Sequence, residues 1–254
     1  MGILNVTPDS FYDGGQFEGV RRAGERAREM IAEGADIIDI GGESTGPGSL
    51  EVSLEEELRR VIPVVRGIRN RELGIGMSVD TYKAEVARQA LEAGANMVND
   101  VTAGRGDREM FRLIAEAGCV YVMMRSKDDS ARTTKRNVQY EDVMKTIHVF
   151  FEERLEEALK AGIKKEQIIL DPGLGHFVSS DPKYSFEILE RLEELQDFDC
   201  PILISPSRKS FTAGLKNLPP EQRLANTLAA TKLAITHGAS IIRTHDVAET
   251  KQLL

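Results

Sequence analysis

The sequence contains little of what marks several large classes of protein. Its two cysteines, Cys119 and Cys200, have no CxxC spacing and no histidine close by in the chain. We interpret them as small buried hydrophobic side chains in a reducing compartment. No apolar run approaches the roughly 18 residues that cross a membrane, and the N-terminus lacks a basic segment followed by an apolar signal core. We therefore expect a cytoplasmic protein with no membrane partner.

Positive charge is scarce as well. The 254 residues include 33 Lys and Arg against 41 Asp and Glu, which gives a net charge of −8. Non-specific binding of nucleic acid needs a basic surface that displaces phosphate counterions, so no nucleic-acid partner is expected. If the substrate is an anion, its binding site must concentrate the basic residues locally.

The sequence also lacks the usual signs of covalent catalysis. Ser44, Ser207 and Ser210 have no GxSxG elbow around them, and neither cysteine is placed for attack. Histidine and cysteine do not cluster at metal-ligand spacing. The reaction is therefore expected to depend on positioning and on charge stabilisation.

The chain does contain eight short apolar runs that alternate with segments of helical periodicity. The runs are GILN, DIIDIGG, GIGMSVD, ANMVND, CVYVMM, QIILDPG, CPILISPSRKS and ASIIRTHD. The helix-period segments are 19–33, 54–69, 82–93, 107–117, 137–162, 182–196, 220–237 and a short one from 247. Such repetition predicts parallel strands joined by right-handed crossovers. It favours one α/β domain, 1–254, folded as a (β/α)8 TIM barrel; an open doubly wound sheet, which suits five or six units, is the alternative.

In such a barrel the carboxyl ends of the strands meet around one ligand. Asp80, Asn99 and Asp171 follow three of the runs, and two carboxylates with an amide can read a flat heterocycle that carries several N–H donors. The two carboxylates also have ordinary structural explanations, because Asp80 can cap the next helix and Asp171 before Pro172 can form a turn. The amide of Asn5, at the end of the first run, suits either a hard cation or a turn.

Basic residues collect after the last two runs, in the segments SRKS (207–210) and RTHD (243–246). In (β/α)8 barrels these two positions commonly bind phosphate, and a solvated basic loop is the alternative explanation. Three long polar connections, 6–17, 42–53 and 126–139, also follow strands. We expect them to act as functional loops on the same face of the barrel.

Seven motifs resemble the dihydropteroate synthase family of folate biosynthesis, in the family's order and along almost the whole chain. They read ILNVTPDSFYDGG, DIIDIGGESTGPGS, SVDTYKAEVA, NMVNDVTAG, ILDPGLG, SRKSF and RTHDVAETK. The resemblance implies a (β/α)8 barrel that condenses 7,8-dihydropterin-6-ylmethyl diphosphate with p-aminobenzoate and releases pyrophosphate. It also implies Mg²⁺ as cofactor, competition by sulfonamides, and a homodimer packed through the last helices.

The resemblance further implies roles for the residues that bind the pterin half of the substrate. Asp80, Asn99, Asp171 and Lys209 match the positions that hold the pterin ring. Asn5 matches the residue that contacts Mg²⁺ on the diphosphate.

The remaining roles concern the diphosphate and the second substrate. Thr45, Arg243 and His245 match the diphosphate pocket, Ser210 at a helix N-terminus would face the p-aminobenzoate carboxylate, and Pro47 would lie beside its ring. In the family the diphosphate is thought to leave first, and an aspartate in the first loop is thought to stabilise the resulting pterin cation. The residues matched to catalysis are Asp13 in that loop, Lys209, Arg243 and His245.

Three positions depart from the family pattern. Gly46 stands where the family usually has an arginine, near the leaving group and p-aminobenzoate. Either His176 or Phe177 takes the place of a usual aromatic residue in the sixth loop. Met123, Met124 and Arg125 stand at the exit of the fifth strand, where the family usually has a His-Met pair. We hypothesise that Arg125 supplies part of the charge missing at Gly46.

Two other functions compete with this one. A related pterin-binding barrel transfers a methyl group from a reduced folate to a corrinoid protein, but that reaction needs no diphosphate pocket. A pterin-binding protein without turnover would explain Gly46 and the altered sixth loop, and it predicts pterin binding without product.

Overall fold

The computed structural model describes residues 1–7, 16–70 and 74–254. Within these ranges the chain forms eight strands that alternate with helices. The strands are β1 (Gly2–Asn5), β2 (Ile37–Gly41), β3 (Gly76–Asp80), β4 (Met97–Asp100), β5 (Val120–Met124), β6 (Ile168–Asp171), β7 (Leu203–Ile204) and β8 (Ile241–Ile242). The helices are α1 (Gln16–Ala32), α2 (Leu54–Arg69), α3 (Ala84–Glu92), α4 (Met110–Ala117), α5 (Val143–Lys160), α6 (Pro182–Glu190), α7 (Leu224–Thr236) and α8 (Val247–Lys251). In none of the described ranges is a helix long and apolar enough to cross a membrane.

The strands close into a barrel. β1 to β6 form one parallel sheet in chain order, and β7 pairs in parallel with β8. Parallel bridges complete the ring at both joins, from Leu170 to Ile202 and from Gly2 to Thr244. At the second join the Ile3 amide donates to the Thr244 carbonyl at 2.9 Å. The predicted (β/α)8 TIM barrel is confirmed, and the open doubly wound sheet is wrong because the two edges meet.

The alternation of side chains along each strand separates an outer core from the barrel interior. In β2, Ile38 and Ile40 pack in the core between strands and helices, whereas Asp39 between them points into the barrel. The floor of the barrel is an apolar cluster of Met1, Met97, Val122, Ile169 and Leu203. Inward-facing polar side chains lie above this floor, towards the carboxyl ends of the strands.

Two helices differ from their predicted bounds by six residues at one end, and the others by four residues or fewer. The segment predicted as 137–162 becomes α-helical only at Val143, because Asp142 caps α5 by accepting from the Lys145 amide at 3.0 Å. The segment predicted as 182–196 leaves the α-helical conformation after Glu190 and continues as a 3-10 helix over Leu192–Phe198. The first difference lies in the connection after β5, on the face where the strands end in polar residues, and the second lies between α6 and β7, on the opposite face.

Candidate active site

A cavity of about 280 Å³ opens at the carboxyl ends of the strands. Eight of the residues predicted from the sequence line it: Asn5, Thr45, Asp80, Asn99, Asp171, Lys209, Arg243 and His245. Ser210 lies in a wider groove beside this cavity, and Pro47 is half-buried in the loop after β2. Asp13 lies outside the described residues. The fold therefore brings most of the predicted set into one place, although it is spread over almost the whole chain.

Asp39 lies behind the cavity lining, bonded to Arg243 and Asn99, and it was not among the residues predicted from the sequence. The side chain is fully buried, and its Oδ2 accepts from Arg243 Nε at 2.6 Å and from Asn99 Nδ2 at 3.1 Å. A second carboxylate oxygen, Asp80 Oδ2, accepts from Arg243 Nη2 at 2.6 Å. Burial lowers the pKa of Arg243, but the two carboxylates outweigh this and raise it. A charge in the middle of an apolar strand was the available signal, because a buried charge needs a partner.

Asp80 is held by this arginine and does not cap a helix. The amide of Ala84, at the start of α3, bonds instead to Asp107 Oδ2 at 2.9 Å. Burial raises the pKa of Asp80 to about 7, with Arg243 opposing the shift and the Asp39 carboxylate adding to it. Arg243 bonds only Oδ2, and the Asp80 side chain is 26% exposed, so Oδ1 is left for a ligand.

Asp171 both forms a turn and faces the cavity. Its Oδ1 accepts from the Gly173 amide at 2.8 Å, as the turn explanation predicts. Its other oxygen, Oδ2, receives no hydrogen bond from the described residues and is left for a ligand. Burial raises the pKa of Asp171, with the Lys209 ammonium and the Gly173 amide opposing the shift. The arrangement leaves one acceptor oxygen on the cavity side.

His245 is oriented by Ser207, another residue whose role depends on the fold. The His245 amide donates to Ser207 Oγ at 3.1 Å, and the same hydroxyl lies 3.0 Å from His245 Nδ1. The direction of this bond depends on the imidazole tautomer, and we assign the hydroxyl as its donor, which leaves the Nε2–H as the donor to a ligand. Burial and the Arg243 and Arg208 charges lower the pKa of His245 to about 4, so the imidazole is neutral at pH 7.

Not every basic residue of the SRKS segment faces the cavity. Arg208 turns away, and its Nε donates to Asp246 Oδ2 at 3.1 Å. Lys209 lines the cavity, with its Nζ 5.1 Å from the centre of the Phe177 ring. Burial lowers the pKa of Lys209 to about 8, with Asp171 opposing the shift.

The structure decides the question in the sixth loop in favour of Phe177. Residues Gly175–Phe177 form a 3-10 turn in which Phe177 lines the cavity, whereas His176 lies in the neighbouring groove. Phe177 therefore occupies the aromatic position beside Lys209.

The hypothesis about Arg125 is not supported. Its side chain is buried against Tyr140, to whose hydroxyl Nη2 donates at 3.2 Å, and it does not line the cavity. The loop after β2 is contacted instead by Arg132, which pairs with Glu43. Gly46 itself lines the cavity, and among the described residues a Cβ added there would lie close only to Ser44 Oγ, at 3.6 Å. The described backbone around position 46 therefore has room for a Cβ.

The shifted Lys209 makes the site sensitive to pH. Its lowered pKa means that the ammonium is present below about pH 8 and is lost above it. We expect kcat/KM for an anionic pterin substrate to fall above pH 8, since this parameter reports the ionisation of the free enzyme. Steady-state rates between pH 6 and 10 check this. Lys183→Met, which removes an exposed lysine on α6, should still show the fall in kcat/KM above pH 8. If Lys209→Met showed the same fall, the fall would not report the ionisation of Lys209.

Comparison with known proteins places this geometry in a family. The family described as pterin binding enzyme matches residues 1–245. The dihydropteroate synthase of Escherichia coli strain K12 is 42% identical over 254 residues, covering 100% of this chain and 88% of its own. The Xanthomonas albilineans enzyme solved with 7,8-dihydropteroate superposes with a TM-score of 0.87 at 39% identity, covering 100% of this chain and 89% of that one. A Yersinia pestis dihydropteroate synthase solved with a sulfonamide drug gives a TM-score of 0.91 at 40% identity, covering 100% and 90%.

The chain therefore belongs to the pterin-binding enzyme family. The relatives named above are all dihydropteroate synthases, so the resemblance read from the seven motifs is confirmed.

Proposed function

We propose that this chain is a dihydropteroate synthase, a transferase that condenses 7,8-dihydropterin-6-ylmethyl diphosphate with p-aminobenzoate. The products are 7,8-dihydropteroate, for folate synthesis, and pyrophosphate. The observation that carries this proposal is one cavity that holds both hydrogen-bond acceptors for a pterin and cations for a diphosphate. The relative that contains 7,8-dihydropteroate matches over the whole of this chain, which supports the same product here.

The pterin is assigned to the acceptor side of the cavity. Asp80, Asn99 and Asp171 present carboxylate and amide groups to the ring, and Lys209 adds a donor. A neutral pterin with several N–H groups suits this set, because an ionised carboxylate accepts more than one hydrogen bond. The Asp171 oxygen left without a partner is the first contact we assign to the ring.

The diphosphate is assigned to the other side, beside Thr45, Arg243 and His245. Arg243 uses Nε and Nη2 on Asp39 and Asp80, and no described residue bonds its Nη1, which we assign to the phosphate oxygens. The neutral His245 donates from Nε2. Together these donors stabilise the charge that develops as the diphosphate departs. In our proposal departure precedes attack by the amine, and Asp13, in the undescribed first loop, stabilises the pterin cation.

Mg²⁺ is assigned to Asn5. Among the described residues, no group of three or more His, Cys, Asp and Glu side chains could hold a metal alone. Mg²⁺ often binds through one or two protein oxygens together with substrate phosphates and water, so a single amide oxygen at the end of β1 fits an ion that arrives with the diphosphate. Bound there, it would neutralise charge on the leaving group.

The p-aminobenzoate is assigned to the space between Phe177, Pro47 and Ser210. Phe177 forms one wall of the cavity, and Ser210 begins the 3-10 helix Ser210–Ala213 at the edge of the adjoining groove. The Ser210 hydroxyl and nearby amides are donors for the carboxylate. Sulfonamides are expected to compete here, in line with the drug complex of the Yersinia pestis relative.

Product formation tests the function directly. The protein is incubated with the pterin diphosphate and p-aminobenzoate, with and without Mg²⁺, and dihydropteroate is detected by mass. We expect Mg²⁺-dependent product, which would also show that an arginine at position 46 is dispensable. Pterin binding without product would contradict the proposal and favour the protein without turnover, and methyl transfer to a corrinoid protein would favour the other alternative.

The assembly and location of the protein are further parts of the proposal. We propose a homodimer, as the family resemblance implies, and light scattering at micromolar concentration would overturn it by giving the monomer mass. A cytoplasmic location is supported by Cys119 and Cys200, which are both free thiols.

A further inference from the structure

Three side chains of the loop after β5 form a buried cluster that the function proposed above does not use. We call Lys127, Asp128 and Thr133 the loop clamp. The Lys127 side chain is 2% exposed, and its Nζ lies 2.7 Å from Asp128 Oδ2 and 2.9 Å from Thr133 Oγ1. Burial raises the pKa of Asp128, but hydrogen bonds from Lys127, the Thr134 amide and Thr133 outweigh it and lower the pKa to about 2. A buried ion pair with this many hydrogen bonds holds its loop in one arrangement.

The loop clamp also forms hydrogen bonds to the backbone of the sixth loop, which follows β6. Lys127 Nζ donates to the His176 carbonyl at 2.6 Å, and Thr133 Oγ1 lies 2.7 Å from the same oxygen. The Lys127 amide donates to the Phe177 carbonyl at 2.8 Å. Phe177 is the aromatic wall of the cavity beside Lys209. The position of the Phe177 ring therefore depends on the hydrogen bonds that the His176 and Phe177 carbonyls accept from the loop clamp.

The second loop is joined to the same cluster through Thr133. The Thr133 amide donates to the Thr45 carbonyl at 3.1 Å, and the threonine is 2% exposed. Thr45 and its neighbour Gly46 line the cavity. Thr133, in the loop after β5, thus connects that loop to two others. Its backbone amide bonds the loop after β2, and its hydroxyl contacts the loop after β6.

We propose that the loop clamp positions Phe177 and Thr45 for the aromatic amine, and so sets the affinity for p-aminobenzoate and for sulfonamides. The inference rests on the function proposed above. Within the described residues no clamp side chain lines the cavity, so these are positioning residues and not catalytic ones. The acceptors assigned to the pterin lie at the ends of β3, β4 and β6. Loss of the clamp should therefore affect the second substrate far more than the first.

A pair of substitutions at Thr133 separates positioning from folding. Thr133→Val keeps the shape and the amide but removes the hydroxyl, whose single proton is shared between the His176 carbonyl and Asp128 Oδ2, whereas Thr133→Ser keeps that hydroxyl. We expect Thr133→Val to raise KM for p-aminobenzoate and Ki for a sulfonamide about fivefold, the value of one hydrogen bond. KM for the pterin diphosphate should change by less than about twofold, and Thr133→Ser should resemble the wild type.

Removal of the Lys127 ammonium should raise KM for p-aminobenzoate further than Thr133→Val, and Arg69→Met is its control. Lys127→Met removes the ammonium from the Asp128 carboxylate and the His176 carbonyl, which keep only the Thr133 hydroxyl and the Thr134 amide as nearby donors. We expect KM for p-aminobenzoate to rise by about 30-fold. Arg69→Met removes another cation that binds a carbonyl, since Arg69 Nε donates to Gly94 at 3.1 Å at the opposite end of the barrel. This control should lower Tm while leaving both KM values unchanged.

Hydrogen–deuterium exchange tests the clamp without turnover. Amides of residues 44–46 and 175–179 should exchange faster in Thr133→Val than in Thr133→Ser. Equal rises of both KM values in Thr133→Val, or unchanged exchange in these two segments, would overturn the proposal. A wild type that forms no dihydropteroate would overturn the proposed function instead, and the exchange result would still decide whether the clamp orders the two loops.

Discussion

Replacing Asp171 with asparagine should lower kcat/KM for the pterin diphosphate by roughly 100- to 1000-fold, because an ionised acceptor becomes a neutral group with a donor. The substitution leaves the local turn intact, since an asparagine Oδ1 can still accept from the Gly173 amide, now at 2.8 Å from Asp171 Oδ1. The group on the cavity side changes from an oxygen to an NH₂. Two donors would then face each other across the pterin edge, and both would be buried and unpaired. Steady-state kinetics and calorimetric titration of the pterin measure the loss.

The control for this substitution is an aspartate with a purely structural role. Asp142 caps α5 by accepting from the Lys145 amide at 3.0 Å, and an asparagine is an equally good cap. Asp142→Asn should therefore leave kcat/KM within about twofold of the wild type. If Asp171→Asn bound the pterin as tightly as the wild type, the Asp171 oxygen would not be a pterin contact, and the acceptor side of the cavity would need another ligand.

The barrel could be predicted from the sequence because its strands are buried on both faces. Each apolar run contains one observed strand, and the repeated spacing of helix-period segments supplies the topology. The ends of helices were harder to predict because distant contacts decide them. The region before Val143 has enough helical periodicity to extend α5, but the Tyr140 amide donates to the Tyr184 hydroxyl at 2.9 Å. That contact spans 44 residues of sequence, so no local pattern reveals it.

The site could be predicted where a residue's position at a strand end was sufficient. Asp80, Asn99 and Asp171 are all of this kind. Asp39 was missed because it lies within a strand run, and its partner Arg243 is 204 residues away in the chain. The choice between His176 and Phe177 depends on a single 3-10 turn, which sequence spacing does not determine. Sequence patterns thus locate the side chains that line the cavity, whereas the groups that orient them depend on the closed barrel.

Replacing Arg243 with leucine should cost about 3 to 5 kcal/mol of folding free energy, the usual result of breaking a buried ion pair from one side. The arginine bonds Asp39 Oδ2 and Asp80 Oδ2, each at 2.6 Å. Without it Asp39 stays fully buried with a charge and only the Asn99 amide as a donor, because its Oδ1 already has no hydrogen-bond partner among the described residues. Thermal unfolding should show a fall in Tm of about 10 °C for a domain of this size. The pocket that we propose for the diphosphate loses a cation at the same time, so activity should fall as well.

The double substitution Arg243→Leu with Asp39→Asn distinguishes an unpaired charge from lost packing. Asparagine at position 39 removes the buried charge but can still accept from Asn99, which now donates to Asp39 at 3.1 Å. The double variant should therefore be more stable than Arg243→Leu alone, with a coupling of about 1 to 3 kcal/mol in the cycle. Activity should not recover with stability, because the cation for the diphosphate is still absent. If the two changes in the free energy of unfolding were additive, Asp39 and Arg243 would act independently. A double variant with restored activity would mean that Arg243 does not bind the diphosphate.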